Sequence, residues 1–267
     1  VSTGTIPTRG GSFELELDVH ELRIVGRNSE GAVSGFDLDG TAIAEVYART
    51  MTLLDGLGQP TEIVPVPYLM PHSTTPFAED REHGSWDHDA IRRWWQALTY
   101  IDGAFRTFAG RSFARTSPVQ LFWHSFDLAV TRFTGRRAPA LGEGARSSEV
   151  EAYSHEVVSF GWWPGDPDVR FPAFYSYTAP EPEGLAGGAL RPEGAWWEEL
   201  EASHLAMLRY DDVREAEDPR GTLLDFLQSA WDAAGASLDV DLTGTDPIPL
   251  WDDLDTRFPG TRGRATR

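Results

Sequence analysis

Residues 119–133 read VQLFWHSFDLAVTRF. Apolar side chains recur at alternate positions through most of this stretch, which is the period of a β-strand, and its length points to one long or bent strand. In that reading Gln120, Phe122, His124, Phe126, Leu128 and Val130 share one face. Trp123, Ser125, Asp127 and Ala129 share the other, so Ser125 and Asp127 are neighbours while His124 and Asp127 are not. A strand of this kind, met in the middle of the chain, sets the class of fold by what surrounds it.

Upstream, Phe13, Leu15 and Leu17 alternate with Glu14, Glu16 and Asp18, a strand with one wet face. Residues 22–25 return antiparallel to it, the turn at 28–31 follows, and residues 33–38 add a third strand. Residues 41–57 carry apolar positions at helical spacing and stop at Gly58. Residues 62–66 read as a short strand, followed by an extended loop rich in proline. Asp87 is an N-cap for a long helix over 88–109, with Ile91, Trp94, Leu98, Ile101, Phe105 and Phe108 on one stripe. Downstream, residues 155–163, 173–178 and 204–209 are strands, with loops over 136–149 and 179–194. Asp218-Pro219 opens a last helix to about residue 236. Strands and helices do not alternate regularly. The expectation is therefore an α+β fold: a mainly antiparallel sheet with two or three long packing helices. No linker divides it, so residues 1–240 read as a single domain and 241–267 as a loosely held tail.

Composition narrows the chemistry. The chain has 267 residues, 23 basic against 42 acidic side chains, a net charge of −19 and no cysteine. Every basic residue is arginine, so Schiff-base and P-loop lysine chemistry are excluded, as are thiolate nucleophiles and cysteine-ligated metals. The acidic balance opposes nucleic acid and anionic membrane as partners. No window approaches the roughly 18–20 apolar residues of a membrane span. The first residues carry neither a basic nor an apolar leader region, and the expectation is a cytoplasmic protein. Arginine in place of lysine and a single asparagine, Asn28, fit a GC-rich bacterial genome.

Nucleotide-binding glycine loops, H-E-x-x-H, G-x-S-x-G and EF-hand loops are absent, and no motif names a cofactor. Asp252, Asp253 and Asp255 read as a solvated acidic stretch. Three polar strings interrupt otherwise apolar elements, where burial without a role is costly. They supply the candidate catalytic residues His155, Glu156, Asp127, Ser125 and His83. Arg132, Asp80, Trp123 and Tyr175 are the candidate substrate-binding residues, with the Arg132 fork suited to an anionic small ligand. No two histidines stand at i, i+2 or i, i+4, so no metal-ligand signature is present. Three tryptophan doublets, 94–95, 162–163 and 196–197, read chiefly as one core and one rim residue each. The favoured function is a small-molecule-binding protein or enzyme with an aromatic-lined His/Asp/Glu/Arg pocket. The alternatives are an interaction module using exposed Trp and Tyr over 162–197, and a metal-dependent hydrolase.

The strings PFAEDREHGSWD (76–87), SPVQLFWHSFDLAVTRFTGRRAP (117–139), EAYSHEVVSFGWWPG (151–165), PAFYSYTAPEPEG (172–184) and LLDFLQSAWDAA (223–234) carry a resemblance. Together they are similar to a bacterial family known as domain of unknown function 5996, over roughly residues 5–235. The chain departs from the family pattern at Gln120 and His124, which weakens a site built on His124. The pattern also has a segment before the first hairpin, and the resemblance implies that the chain starts after it. It implies no particular activity.

Overall fold

A computed structural model describes residues 1–67, 74–112, 115–167, 169–201 and 203–238. The expected C-terminal tail and its acidic stretch lie outside the described residues. The strands are β1 Ile6–Thr8, β2 Gly11–Asp18, β3 Arg23–Asn28, β4 Val33–Asp37, β5 Gln120–Phe122, β6 Asp127–Arg137, β7 His155–Trp163, β8 Ala173–Ala179, β9 Trp196–Glu199 and β10 His204–Arg209. The helices are α1 Ile43–Gly56, α2 His88–Gly110, α3 Ser147–Ala152, α4 Tyr210–Arg214 and α5 Pro219–Leu238. With two antiparallel sheets and these helices, the fold is α+β. None of the described helices is long and apolar enough to cross a membrane.

The chain divides into two compact units, Val1–Leu98 and Thr99–Arg267. The division falls inside α2, which is why no Pro- or Gly-rich linker marks it.

In the first unit the sheet runs β1-β2-β3-β4. The register Leu15↔Gly26, Leu17↔Ile24 and Ile24↔Phe36 puts the apolar positions on one face. Phe36, Leu38, Leu53 and Leu57 form a buried cluster with Leu15, Leu17, Ile24, Val46 and Trp86 against it. A Cβ at Gly26 would meet Leu53 at 2.4 Å, so glycine is what lets α1 close onto β3. Residues 61–67 form no strand, contrary to the expectation; prolines 65 and 67 leave too few donors for a ladder.

In the second unit the large sheet runs β5-β6-β7-β8-β10-β9. The stretch over 119–133 is not one strand. It turns back between Phe122 and Asp127 to form the β5–β6 hairpin, paired Phe122↔Asp127 and Gln120↔Ala129. Phe126 holds the turn with φ +58°, and its N–H donates to the Phe122 carbonyl at 2.8 Å. A phenylalanine in the left-handed region gives no warning in sequence, where glycine or asparagine would.

Cross-strand register sorts the sheet into two faces. Leu128, Val130 and Arg132 lie beside Trp162, Phe160 and Val158, and these beside Phe174, Ser176 and Thr178. This face is covered by helix residues: Phe108 meets Phe160 edge-on at 4.8 Å, and Leu223, Leu227 and Trp231 of α5 are buried. The opposite face carries Asp127, Ala129 and Thr131, then Gly161 and Ser159, then Tyr175 and Tyr177.

Candidate functional site

Asp80 and His83 belong to the first unit, and the structure brings them together. The Asp80 carboxylate accepts the backbone N–H of Glu82 at 3.2 Å and of His83 at 3.1 Å, and His83 Nδ1 lies 2.9 Å from it. These donors, the His83 N–H foremost, hold the Asp80 carboxyl below its ordinary range. The same loop closes α1: Ile43 N–H donates to the His83 carbonyl at 2.9 Å and Ala44 N–H to the Asp80 carbonyl at 2.8 Å. Ala42 at the N-cap supplies no side-chain cap, so loop carbonyls take the donors a helix start leaves open. The Asp80 carboxylate thus holds the loop whose main-chain carbonyls cap α1, and the His83 imidazole lies against that carboxylate.

The second unit holds the other candidates. The β5–β6 turn directs Ser125 Oγ–H onto Asp127 Oδ1 in a short hydrogen bond. From β8, 48 residues on, Tyr175 donates its phenol proton to Asp127 Oδ2 at 2.5 Å. Gly161 makes this reach possible. A Cβ there would sit 2.2 Å from the Tyr175 ring, so the ring occupies the space that any side chain on β7 at this position would need. Burial, reinforced by the neighbouring Asp127 charge, pushes the Tyr175 phenol well above its ordinary value.

A second set of hydroxyls continues from this centre. Tyr175 and Tyr177 stack with centroids 6.3 Å apart and planes at 12°. The Tyr177 hydroxyl lies 3.3 Å from that of Tyr153 and is pushed up by burial, and by register Tyr177 stands beside Ser159. Ser159 in turn lies 3.1 Å from Thr131 Oγ1. Tyr177, Tyr153, Ser159 and Thr131 were not among the sequence candidates. The available signal was the i, i+2 pairing of Tyr175 and Tyr177 on one strand face; their joining to Thr131 and Ser159 depends on cross-strand register.

Phe122, Trp123 and Phe126, on and around the hairpin turn, are 46%, 42% and 43% exposed. By register Phe122 stands beside Asp127 on the tyrosine face.

The remaining candidates lie elsewhere. His155 pairs with Arg137 at the start of β7, and its Nδ1 is 3.1 Å from Ser154 Oγ. Glu156 accepts from Thr134 Oγ1 and Arg136 Nε, both at 2.8 Å, and pins the bulge where β6 gains extra residues between Phe133 and Arg137. Arg132 is 0% exposed on the helix-covered face. Its Nη2 donates to the Phe108 carbonyl in the last turn of α2 at 2.6 Å, and its guanidinium lies 3.4 Å from the Phe108 ring centroid and 5.0 Å from that of Trp231. Burial pulls its pKa down to about 9, so it stays charged at neutral pH. Asp127 and Arg132 therefore project from opposite sides of one strand, and the arginine that suggested an anionic ligand points into the core.

Among the described residues no group of three or more His, Asp or Glu is placed to hold a metal ion. In the doublet on β7, Trp162 is buried and Trp163 half-buried. Trp196 and Trp197 are half-buried, with indole N–H groups donating to Glu198 and to the Gly188 carbonyl.

The sequence profile of the family of unknown function DUF5996 matches residues 1–246. The chain belongs to this family. The DUF5996 match takes in every described residue, including the Asp127 centre and the Asp80 cap. No curated protein and no solved structure matches the chain significantly.

Proposed function

We propose that the protein binds a small molecule on the tyrosine-bearing face of the large sheet, centred on Ser125, Asp127 and Tyr175. The observation that carries this reading is a half-buried carboxylate held only by side-chain hydroxyls, one from its own turn and one from a strand far along the chain. A carboxylate that closes a turn draws on main-chain donors; this one leaves lone pairs for an outside N–H or O–H. The Tyr153, Tyr177, Ser159 and Thr131 hydroxyls extend the polar contact, and Trp123 and Phe122 supply flat apolar surface beside it. The ligand is a small, flat compound bearing hydrogen-bond donors.

A library of small polar and charged ring compounds, screened by ligand-observed NMR and thermal shift, tests the reading. Compounds that bind should be lost with Asp127→Asn and with Tyr175→Phe and retained by Glu143→Gln, an exposed acid in the loop after β6. Binding indifferent to both site variants, or no binding at all, overturns it.

A further inference from the structure

We propose that this ligand is an organic cation, whose ammonium or protonated-amine group seats between the Asp127 carboxylate and the aromatic side chains of the β5–β6 hairpin and β8. The inference rests on the site proposed above and names its ligand class.

The first ground is charge. Three carboxylates on other strands have an arginine: Glu16 has Arg27 at 2.6 Å, Glu156 has Arg136 at 2.8 Å and Asp37 has Arg23 at 3.8 Å. Asp127 accepts from Ser125 and Tyr175, and among the described residues no arginine or histidine lies within ion-pair distance of it. On the same face Arg209 stacks on Phe171, 3.9 Å from the ring centroid. A half-buried negative charge stabilised by two neutral hydroxyls lacks a counter-ion, and taking charge partly out of water costs free energy that a cation would offset.

The second ground is the shape and electronics of the surroundings. Phe122 is the cross-strand neighbour of Asp127, Trp123 follows it on the turn, and the stacked Tyr175 and Tyr177 rings border the carboxylate on the other side. Ring faces carry negative potential and attract ammonium groups, most strongly where water is partly excluded. The hydroxyls of Ser125, Tyr175, Tyr177 and Tyr153 offer acceptor oxygens. An anion seated against them would be repelled by the Asp127 charge.

The third ground is the strained turn. Phe126 keeps a left-handed backbone at φ +58° in the turn that sets Ser125 against Asp127. Strain of this kind persists where the surroundings dictate it, and clusters at ligand sites.

The test titrates the full chain with benzyltrimethylammonium, benzylammonium and neutral benzyl alcohol, by calorimetry with NMR detection of the tryptophan indole signals. Both cations should bind saturably, about tenfold or more tighter than the alcohol, and weaken as salt is added. Asp127→Asn should reduce cation affinity about tenfold, whereas Glu143→Gln should leave it unchanged, which separates the site from the general attraction of a chain of charge −19. Phe122→Ala, an exposed substitution that leaves the carboxylate in place, should weaken cations about threefold and serves if Asp127→Asn fails to fold. Benzyl alcohol binding as tightly as the cations overturns the inference, as does an equal loss with Glu143→Gln. So does wild-type protein that binds none of the three while another compound binds and is lost with Asp127→Asn; in that case the site stands and only the ligand class falls. If nothing binds in an Asp127-dependent way, both fall together.

Discussion

Asp127 and Arg132 stand on one strand, in opposite settings. Arg132 is a cation sealed between helix and sheet, where it holds the last turn of α2 through the Phe108 carbonyl and lies against two aromatic rings. Among the described residues its Nε and Nη1 have no hydrogen-bond partner. Asp127 is an anion on the other face, half-buried and held by two hydroxyls. Buried charge with internal partners serves the fold, since nothing outside can reach it. Half-buried charge with incomplete partners is open to an outside group. The Asp80 carboxylate shows the other way a charge is taken inward, because donors two and three residues away along its own loop surround it.

The largest effect that would sharpen the contrast lies at Arg132. Arg132→Ala should lower unfolding free energy by about 3–5 kcal/mol, by leaving a cavity and an open helix end. Arg132→Met keeps the volume and removes the desolvation cost, so denaturant titration should show a loss below about 1.5 kcal/mol or a gain. Equal losses in the two variants would mean that the charge itself is needed, and the contrast would break.

On the other face, Gly161→Ala should cost about 1–3 kcal/mol, because the added methyl enters the space of the Tyr175 ring. It should also remove Asp127-dependent ligand binding by lifting Tyr175 away. Unchanged binding in Gly161→Ala would show that the Tyr175–Asp127 contact is not what forms the site. Tyr175→Phe should cost about 1.5–3 kcal/mol of stability, the worth of one hydrogen bond to a charged group, while abolishing that binding. A large stability loss with binding intact would make Tyr175 a structural residue like Arg132.

The smallest effect is in alkali. Burial holds the Tyr175 and Tyr177 phenols protonated in the fold, whereas in the unfolded chain they ionise near the ordinary value of 10.0. The native state then binds more protons above that pH. The stabilisation is full below about pH 10 and declines as pH rises toward the folded values. Stability measured across this range should fall less steeply in Tyr175→Phe than in wild type, with the phenolate absorbance of the native protein delayed for the two buried rings. A Tyr175→Phe profile parallel to wild type would show that this phenol is not held protonated by the fold.

Much of the frame was legible in residue order. Residues 155–163 read as a strand and form β7 to the residue, because an apolar run with β-branched and aromatic residues ends at a Pro-Gly turn. The long helices at 88 and 219 follow from Asp87 and Asp218 as caps, whose carboxylates accept the N–H of Ala90 and Gly221 at 2.9 and 3.0 Å. The hairpin at Phe126 was hidden, because its turn uses an aromatic residue with no turn propensity. β1 and β9 were missed because strands of three and four residues carry too little periodicity to stand out.

For the candidate site, residue types were legible and partners were not. Ser125 and Asp127 were expected as neighbours on one strand face; they meet instead across a turn. Glu156 was a carboxylate of interest, and only the bulge between Phe133 and Arg137 reveals that Thr134 and Arg136 occupy it.

Local order alone determined the α+β class, most helix limits and the absence of lysine and cysteine chemistry, because periodicity, caps and composition are properties of neighbouring residues. Tertiary structure decided which face each polar side chain joins and what already holds it. Those outcomes depend on strand register and on the closeness that Gly161 allows between Tyr175 and the β7 backbone. Contacts spanning 48 residues, such as Tyr175 to Asp127, have no local signature from which to be read.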